Sequence, residues 1–143
     1  MKKIISLTIL VSIIASCNCK KPLARFQAVK NVETSSEMID KVKSDINFTI
    51  DSVWADKNIL HIDIAYVGEK GQPEFALVFN GMWQKIYPPR ATVSLVNLDD
   101  KLGGKKSVKH HLSFDLSSMS APNTTFDVEV KGFSKRIRIE NKD

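Results

Sequence analysis

His61, His110 and His111 are the only three histidines in this 143-residue chain, and Asp63 stands two positions beyond the first of them. Imidazole nitrogens and carboxylate oxygens are the donors that divalent transition ions take. Neighbouring residues of a strand point to opposite faces, so His110 and His111 do not easily share one ion. One of the pair can join His61 and Asp63 if their strands lie side by side, and the set assigned is His61, Asp63 and His110. The competing expectation is a surface histidine, or a buried one whose hydrogen bonds are satisfied, and it is preferred. A metal-binding protein or metal-dependent enzyme is therefore the alternative function.

The remaining polar constellations carry less. Asp99-Asp100 sits beside Gly103-Gly104, and an acidic loop can hold Ca²⁺ through oxygen ligands. The spacing is not that of an EF-hand, and Lys101, Lys105 and Lys106 oppose a cation there. A solvated turn is expected. Asp115 in "FDLS" is expected to bond nearby backbone groups, as Asp does at strand ends. No Gly-x-Ser-x-Gly elbow and no phosphate-cradling glycine loop is present. No enzyme activity and no cofactor are expected.

The segment "GMWQKIYPPR" gathers Met82, Trp83, Ile86, Tyr87 and two prolines. On an extended strand Trp83 and Tyr87 share one face, and Met82 and Ile86 share the other. If one face is uncovered, it offers an aromatic patch of the kind that protein or glycan partners use; the competing expectation, which is preferred, is that both faces are buried or sit at a sandwich edge.

The N-terminus decides where such a patch would work. Lys2-Lys3 precede twelve uncharged residues, Ile4 to Ala15. As a helix these reach about 18 Å, short of a bilayer core of about 30 Å, and the layout suits a secretory signal. The run ends Ile14-Ala15-Ser16-Cys17, which resembles the lipobox of bacterial lipoprotein signal peptides. The resemblance implies that Cys17 is acylated with fatty chains such as palmitate and becomes the first mature residue. Several chains hold a protein at a membrane where one does so only marginally. Asn18, not Asp, follows the cysteine, which in that family favours the outer membrane. Lys20-Lys21 replace the acidic residues of surface-displayed lipoproteins, so the periplasmic face is expected.

Loss of residues 1–16 leaves nineteen Lys and Arg against sixteen Asp and Glu, a charge of +3. This is mild and dispersed, and it gives no reason to expect a nucleic-acid partner. With Cys17 acylated, only Cys19 remains as a thiol. No disulfide forms inside the domain, and stability must come from apolar burial and strand pairing.

Strands must position all of these residues. Residues 17–44 lack alternation and are read as an acylated cysteine and tether, with one or two helical turns around Met38, Ile39 and Val42. From Ile46 the period becomes two. "INFTI", "ILHIDIAY", "EFALVF", "MWQKIY", "ATVSLVNL", "SVKHHLSFDL", "TFDVEV" and "KRIRI" are seven or eight short strands. Turns are expected at "ADKN", at Asn80-Gly81, where both hairpin positions favour positive φ, and at Gly132. The spacing predicts an all-β domain over residues 45–143, an antiparallel Ig-like β-sandwich, with a small barrel as rival.

The stretches "IDIAYVGEKGQPEFALVFNG", "YPPRATVSLVN" and "LSFDLSSM" together resemble a group of small lipoprotein-like β domains of unknown function. Tyr66, Gly68, Phe75 and Phe114-Asp115-Leu116-Ser117 match its motifs over about 60 residues. Glu69, Lys70 and Glu74 stand where that group has glycine, cysteine and histidine. The resemblance implies fold more than activity. The function expected is a lipid-anchored, non-enzymatic binding or accessory module at the outer membrane. Its partners would be the membrane, through lipid, and an envelope protein or a glycan. A periplasmic enzyme inhibitor is a further alternative.

Overall fold

Leu60, Ile62, Ile64 and Tyr66 alternate with His61, Asp63 and Ala65, and a period of two turns the first set to one face. In the computed structural model that face is the core, with the three aliphatic side chains fully buried and Tyr66 nearly so. The structure describes residues 29–34, 48–68, 73–98, 104–119 and 121–140. The leader 1–16, Cys17, the turns expected around Met38, and Asp99-Asp100 lie outside the described residues.

Among the described residues there are nine strands, one 3₁₀ turn at Leu116–Met119 and no α-helix. The strands are β1 (Lys30–Asn31), β2 (Glu33–Thr34), β3 (Phe48–Asp56), β4 (Ile59–Gly68), β5 (Phe75–Gln84), β6 (Arg90–Asn97), β7 (Lys106–Asp115), β8 (Thr125–Val130) and β9 (Arg136–Glu140). They form two sheets, ordered β1-β7-β4-β3 and β2-β5-β6-β8-β9. The inner faces share one core. Leu60, Ile62, Ile64 and Phe114 come from the first sheet, and Phe75, Leu77, Phe79, Val93, Phe126 and Ile139 from the second. Each such side chain contributes about 1.5–3 kcal/mol by leaving water.

The fold is all-β and sandwich-like, but its sheets are mixed. The pairs β1–β7, β2–β5 and β6–β8 are parallel, where purely antiparallel sheets were expected. The reason is the path of the chain. Between β6 and β8 it crosses to the first sheet as β7 and returns, so β8 re-enters beside β6 in the same direction. The described strands do not establish the Ig-like arrangement.

Two further expectations change. Asn80-Gly81 does not close a hairpin. Both flanks of this dipeptide pair with the same strand, Phe79 with Val93 and Trp83 with Ala91, so the irregularity lies within β5. Gly81 takes up the distortion at φ 76°, and Asn80 Oδ1 accepts a hydrogen bond from the Met82 amide at 3.0 Å. The expected strands "EFALVF" and "MWQKIY" are thus one strand ending at Gln84.

Residues 30–34, placed in the tether by sequence, belong to the domain. β1 borders β7, β2 borders β5, and Val32 between them is buried in the core. Lys30 Nζ donates to the Phe75 carbonyl at 3.1 Å, and Ser118 Oγ donates to the Val32 carbonyl at 3.3 Å. Five residues thus bind one edge of each sheet together. They carry no long alternating run because they cross between sheets after two residues in each.

Candidate functional site

The outer face of the first sheet concentrates the polar chemistry. Register sets it. Trp54 pairs with His61 and His61 with Ser113; one step along, Ser52 pairs with Asp63 and Asp63 with His111. Cross-strand partners on one face stand about 4.5–5.5 Å apart, so six side chains form a two-row block.

A bulge makes this possible. Ile50 faces Ile64 and Ser52 faces Asp63, with one extra residue, Asp51, in β3. Unbroken alternation from Phe48 and Ile50 would turn Ser52 and Trp54 inward. The inserted residue inverts the phase, so Val53 enters the core and Trp54 lies on the outside, 42% exposed.

The hydrogen bonds fix the order of the block. A carboxylate only accepts, so the His111 Nδ1–H donates to Asp63 Oδ1, at 2.7 Å. Ser52 Oγ donates to Asp63 Oδ2 at 2.8 Å. In neutral His111 the Nε2 lone pair is therefore bare, and it points at His61 Nδ1, 3.2 Å away. Ser113 Oγ lies 3.0 Å from His61 Nδ1 and 3.3 Å from His111 Nε2. The Trp54 ring stacks on His61, with centroids 5.2 Å apart and planes 16° apart, and lies 5.3 Å from His111. A cleft of about 390 Å³ beside the block is lined by Asp51, Ser52, Asp63, Lys109, His110 and His111.

Charge follows from the geometry. Burial, then the neighbouring His111, hold His61 below the ordinary histidine range, against a smaller pull from Asp56 and Asp63. For Asp63, burial pushes upward, but hydrogen bonds from His111 and Ser52, with the fields of His111 and Lys109, bring the carboxyl below its usual range. The sequence Asp63–His111–Ser113 has the connectivity of acid, base and nucleophile. Ser113, however, is almost fully buried near the end of β7, with its hydroxyl shared between His61 and His111 and enclosed rather than presented to a substrate. The arrangement suits ligand holding better than acyl transfer.

The structure brings His61 and Asp63 together but separates them from His110, which corrects the assigned set. His110 pairs with Ile64 and faces inward, 6.4 Å by ring centroid from both Tyr66 and Phe75. Burial, then His111 and Lys30, lower its pKa. The histidine that meets His61 and Asp63 is His111. Its signal was present in the alternation, because Val108, His110, Leu112 and Phe114 share one face. The same alternation puts Ser113 on the face of His111, whereas Ser52 and Trp54 gave no such signal, because the bulge at Asp51 reverses their phase. Among the described residues, three or more His, Cys, Asp or Glu do not converge on one metal position. Asp115 behaves as expected. Its carboxylate accepts from the Ser117 hydroxyl at 2.6 Å and the Ser117 amide at 2.9 Å, which hold it below the usual range.

The second locus is the end of β5 and the bend after it. Met82, Ile86 and Tyr87 are 69%, 46% and 91% exposed. Trp83 does not join them; it packs edge-on against Phe79 and Phe126, with centroids 5.4 and 5.3 Å away. Because β5 stops at Gln84, the four-residue spacing of Trp83 and Tyr87 does not put them on one strand face. Tyr87 instead lines an open groove of about 680 Å³ with residues 121–125.

No family model matches the chain, and no curated protein matches it. Its fold is shared with solved structures of low identity. A DUF1344 protein of unknown function from Bacteroides vulgatus is 18% identical, with 78% of this chain and 56% of that one covered and a TM-score of 0.53. A NigD-like immunity protein from Bacteroides caccae is 15% identical, with 76% and 57% covered and a TM-score of 0.51. A toxin-related protein from Parabacteroides distasonis is 14% identical, with 79% and 61% covered and a TM-score of 0.51. The chain spans less than two thirds of the length of each. At these identities the likeness is one of fold, and it fits a small β domain of unknown function.

Proposed function

We propose that this protein is a lipid-anchored envelope module that binds another protein, as an accessory subunit or inhibitor, without catalysing a reaction. The observation that carries the reading is Tyr87. It stands 91% exposed beside Met82 and Ile86, while the adjoining Trp83 is wedged against Phe79 and Phe126. Trp83 is half-buried against the core, so the backbone that carries Met82, Ile86 and Tyr87 is anchored while their side chains stay open to a partner, and exposed aromatic residues of this kind are the usual anchors of protein interfaces. The fold shared with a NigD-like immunity protein supports an accessory or inhibitory role. The lipobox-like run ending at Cys17 supports acylation there, Asn18 after it supports the outer membrane, and Lys20-Lys21 support its periplasmic face.

A photo-crosslinking residue at Tyr87 in intact cells tests the partner. The expected result is one discrete protein adduct, lost in a Met82→Ser, Ile86→Ser background. Adducts that are absent, or a purified protein that binds glycans and no protein, would remove the reading. Palmitate labelling that persists after Cys17→Ser would remove the anchor.

A further inference from the structure

The block on the outer face of the first sheet holds more than its hydrogen bonds require. His61 Nδ1, His111 Nε2 and Ser113 Oγ form a triangle with edges of 3.2, 3.0 and 3.3 Å. Two nitrogens each about 2.0–2.1 Å from a tetrahedral ion stand roughly 3.3 Å apart. The three donor atoms thus already occupy one face of such a coordination shell. The Asp63 carboxylate on His111 Nδ1 fixes the tautomer that leaves Nε2 free for a ligand bond, the usual arrangement behind a metal-bound histidine. Ser52 Oγ holds that carboxylate in turn, at 2.8 Å. Trp54 covers both imidazoles from one side.

We propose that this face binds a single divalent transition ion, Cu²⁺ or Zn²⁺, through His61 Nδ1 and His111 Nε2, with Ser113 Oγ as third donor and water completing the shell. Paired imidazoles select these ions over Mg²⁺ or Ca²⁺. Asp63 is a positioning residue that touches the ion only through His111. The site is independent of the Tyr87 locus, so either can fail without the other.

The test uses the full chain with Cys17→Ser and Cys19→Ser, which removes competing thiols. Cu²⁺ is titrated in a weakly coordinating buffer while tryptophan fluorescence is recorded, and Zn²⁺ is titrated by calorimetry. One equivalent of Cu²⁺ should quench the Trp54 contribution, and Trp54→Phe should abolish that quenching while calorimetric binding persists. His61→Ala and His111→Ala should each weaken binding at least tenfold. Asp63→Asn should weaken it about 10–100-fold. His110→Ala, on the inner face, should leave affinity unchanged. Binding that survives both His61→Ala and His111→Ala overturns the proposal, as does a wild-type titration with no saturable event. Circular dichroism of each variant separates lost binding from lost fold.

Discussion

His111 Nδ1 and Asp63 Oδ1 meet at 2.7 Å across the β4–β7 ladder, at positions directly opposed in register. The two residues are 48 apart in sequence, and the contact exists only because a strand between Lys106 and Asp115 returns beside β4 after two intervening strands in the other sheet. One hydrogen bond then sets the tautomer of His111 and, through it, what the outer face presents to solvent.

Asp63→Asn should change chemistry more than stability. Both side chains are 42% exposed, and solvent-screened pairs contribute about 0–1 kcal/mol. The expected loss in urea is under about 1 kcal/mol. Nitrogen-15 spectra of His111 should shift from one dominant Nδ1–H tautomer to a mixture. An unchanged tautomer would show that Asp63 does not govern the ring.

Acid should weaken the fold in two steps. His61 and His110 are held below their unfolded value of about 6.5. Between the folded and unfolded values the unfolded chain binds more protons, so their contribution is complete above about pH 6.5 and is lost as pH falls through the folded values. Asp63 acts in the same direction lower down, with its contribution present above about pH 3.9 and lost below it. Melting temperature should fall from pH 7 towards pH 5 and flatten in a His61→Phe, His110→Phe double variant. A wild-type profile flat over that range would contradict the assignment.

Trp83→Ala and Tyr87→Ala should behave oppositely. Loss of the half-buried Trp83 indole removes its packing on Phe79 and Phe126 and should cost about 2–3 kcal/mol, below the value for a fully buried ring. Tyr87 is almost free of the protein, and its loss should stay within about 0.5 kcal/mol. Denaturant midpoints compare the two directly. Partner capture should fail in Tyr87→Ala with the fold intact.

Removal of the segment before residue 45 should destabilise the domain. Such a chain lacks Val32 and both edge strands, and it leaves the edges of β7 at Phe114-Asp115 and of β5 at Val78-Phe79 unpaired. Val32→Ala alone should cost about 2 kcal/mol. Equal unfolding midpoints with and without residues 29–34 would return this segment to the tether.

Gly81→Ala isolates backbone strain from crowding. An added Cβ would meet only Thr34 Cγ2 at 3.6 Å, an ordinary contact. The cost, about 1 kcal/mol, should come from φ 76° alone. A neutral substitution would mean that β5 can straighten at this point.

What the chain itself determined is the set of inward faces. Leu60, Ile62, Ile64 and Tyr66, and likewise Phe75, Leu77 and Phe79, alternate because water is excluded from one side of each strand, a local signal that needs no knowledge of neighbours. The same alternation, carried through β7, puts His110 inward with Leu112 and Phe114 and His111 outward, the reverse of the set assigned from the residue types. Only the tertiary structure decided which outward residues meet. Register between β4 and β7, the parallel return of β8, and the two-residue strands at Lys30 and Glu33 depend on pairings between distant segments, which alternation does not encode. One inserted residue at Asp51 reversed the phase of β3 and brought Trp54 out beside His61. A bulge is stabilised by the strand it faces, so nothing in its own run of residues announces it.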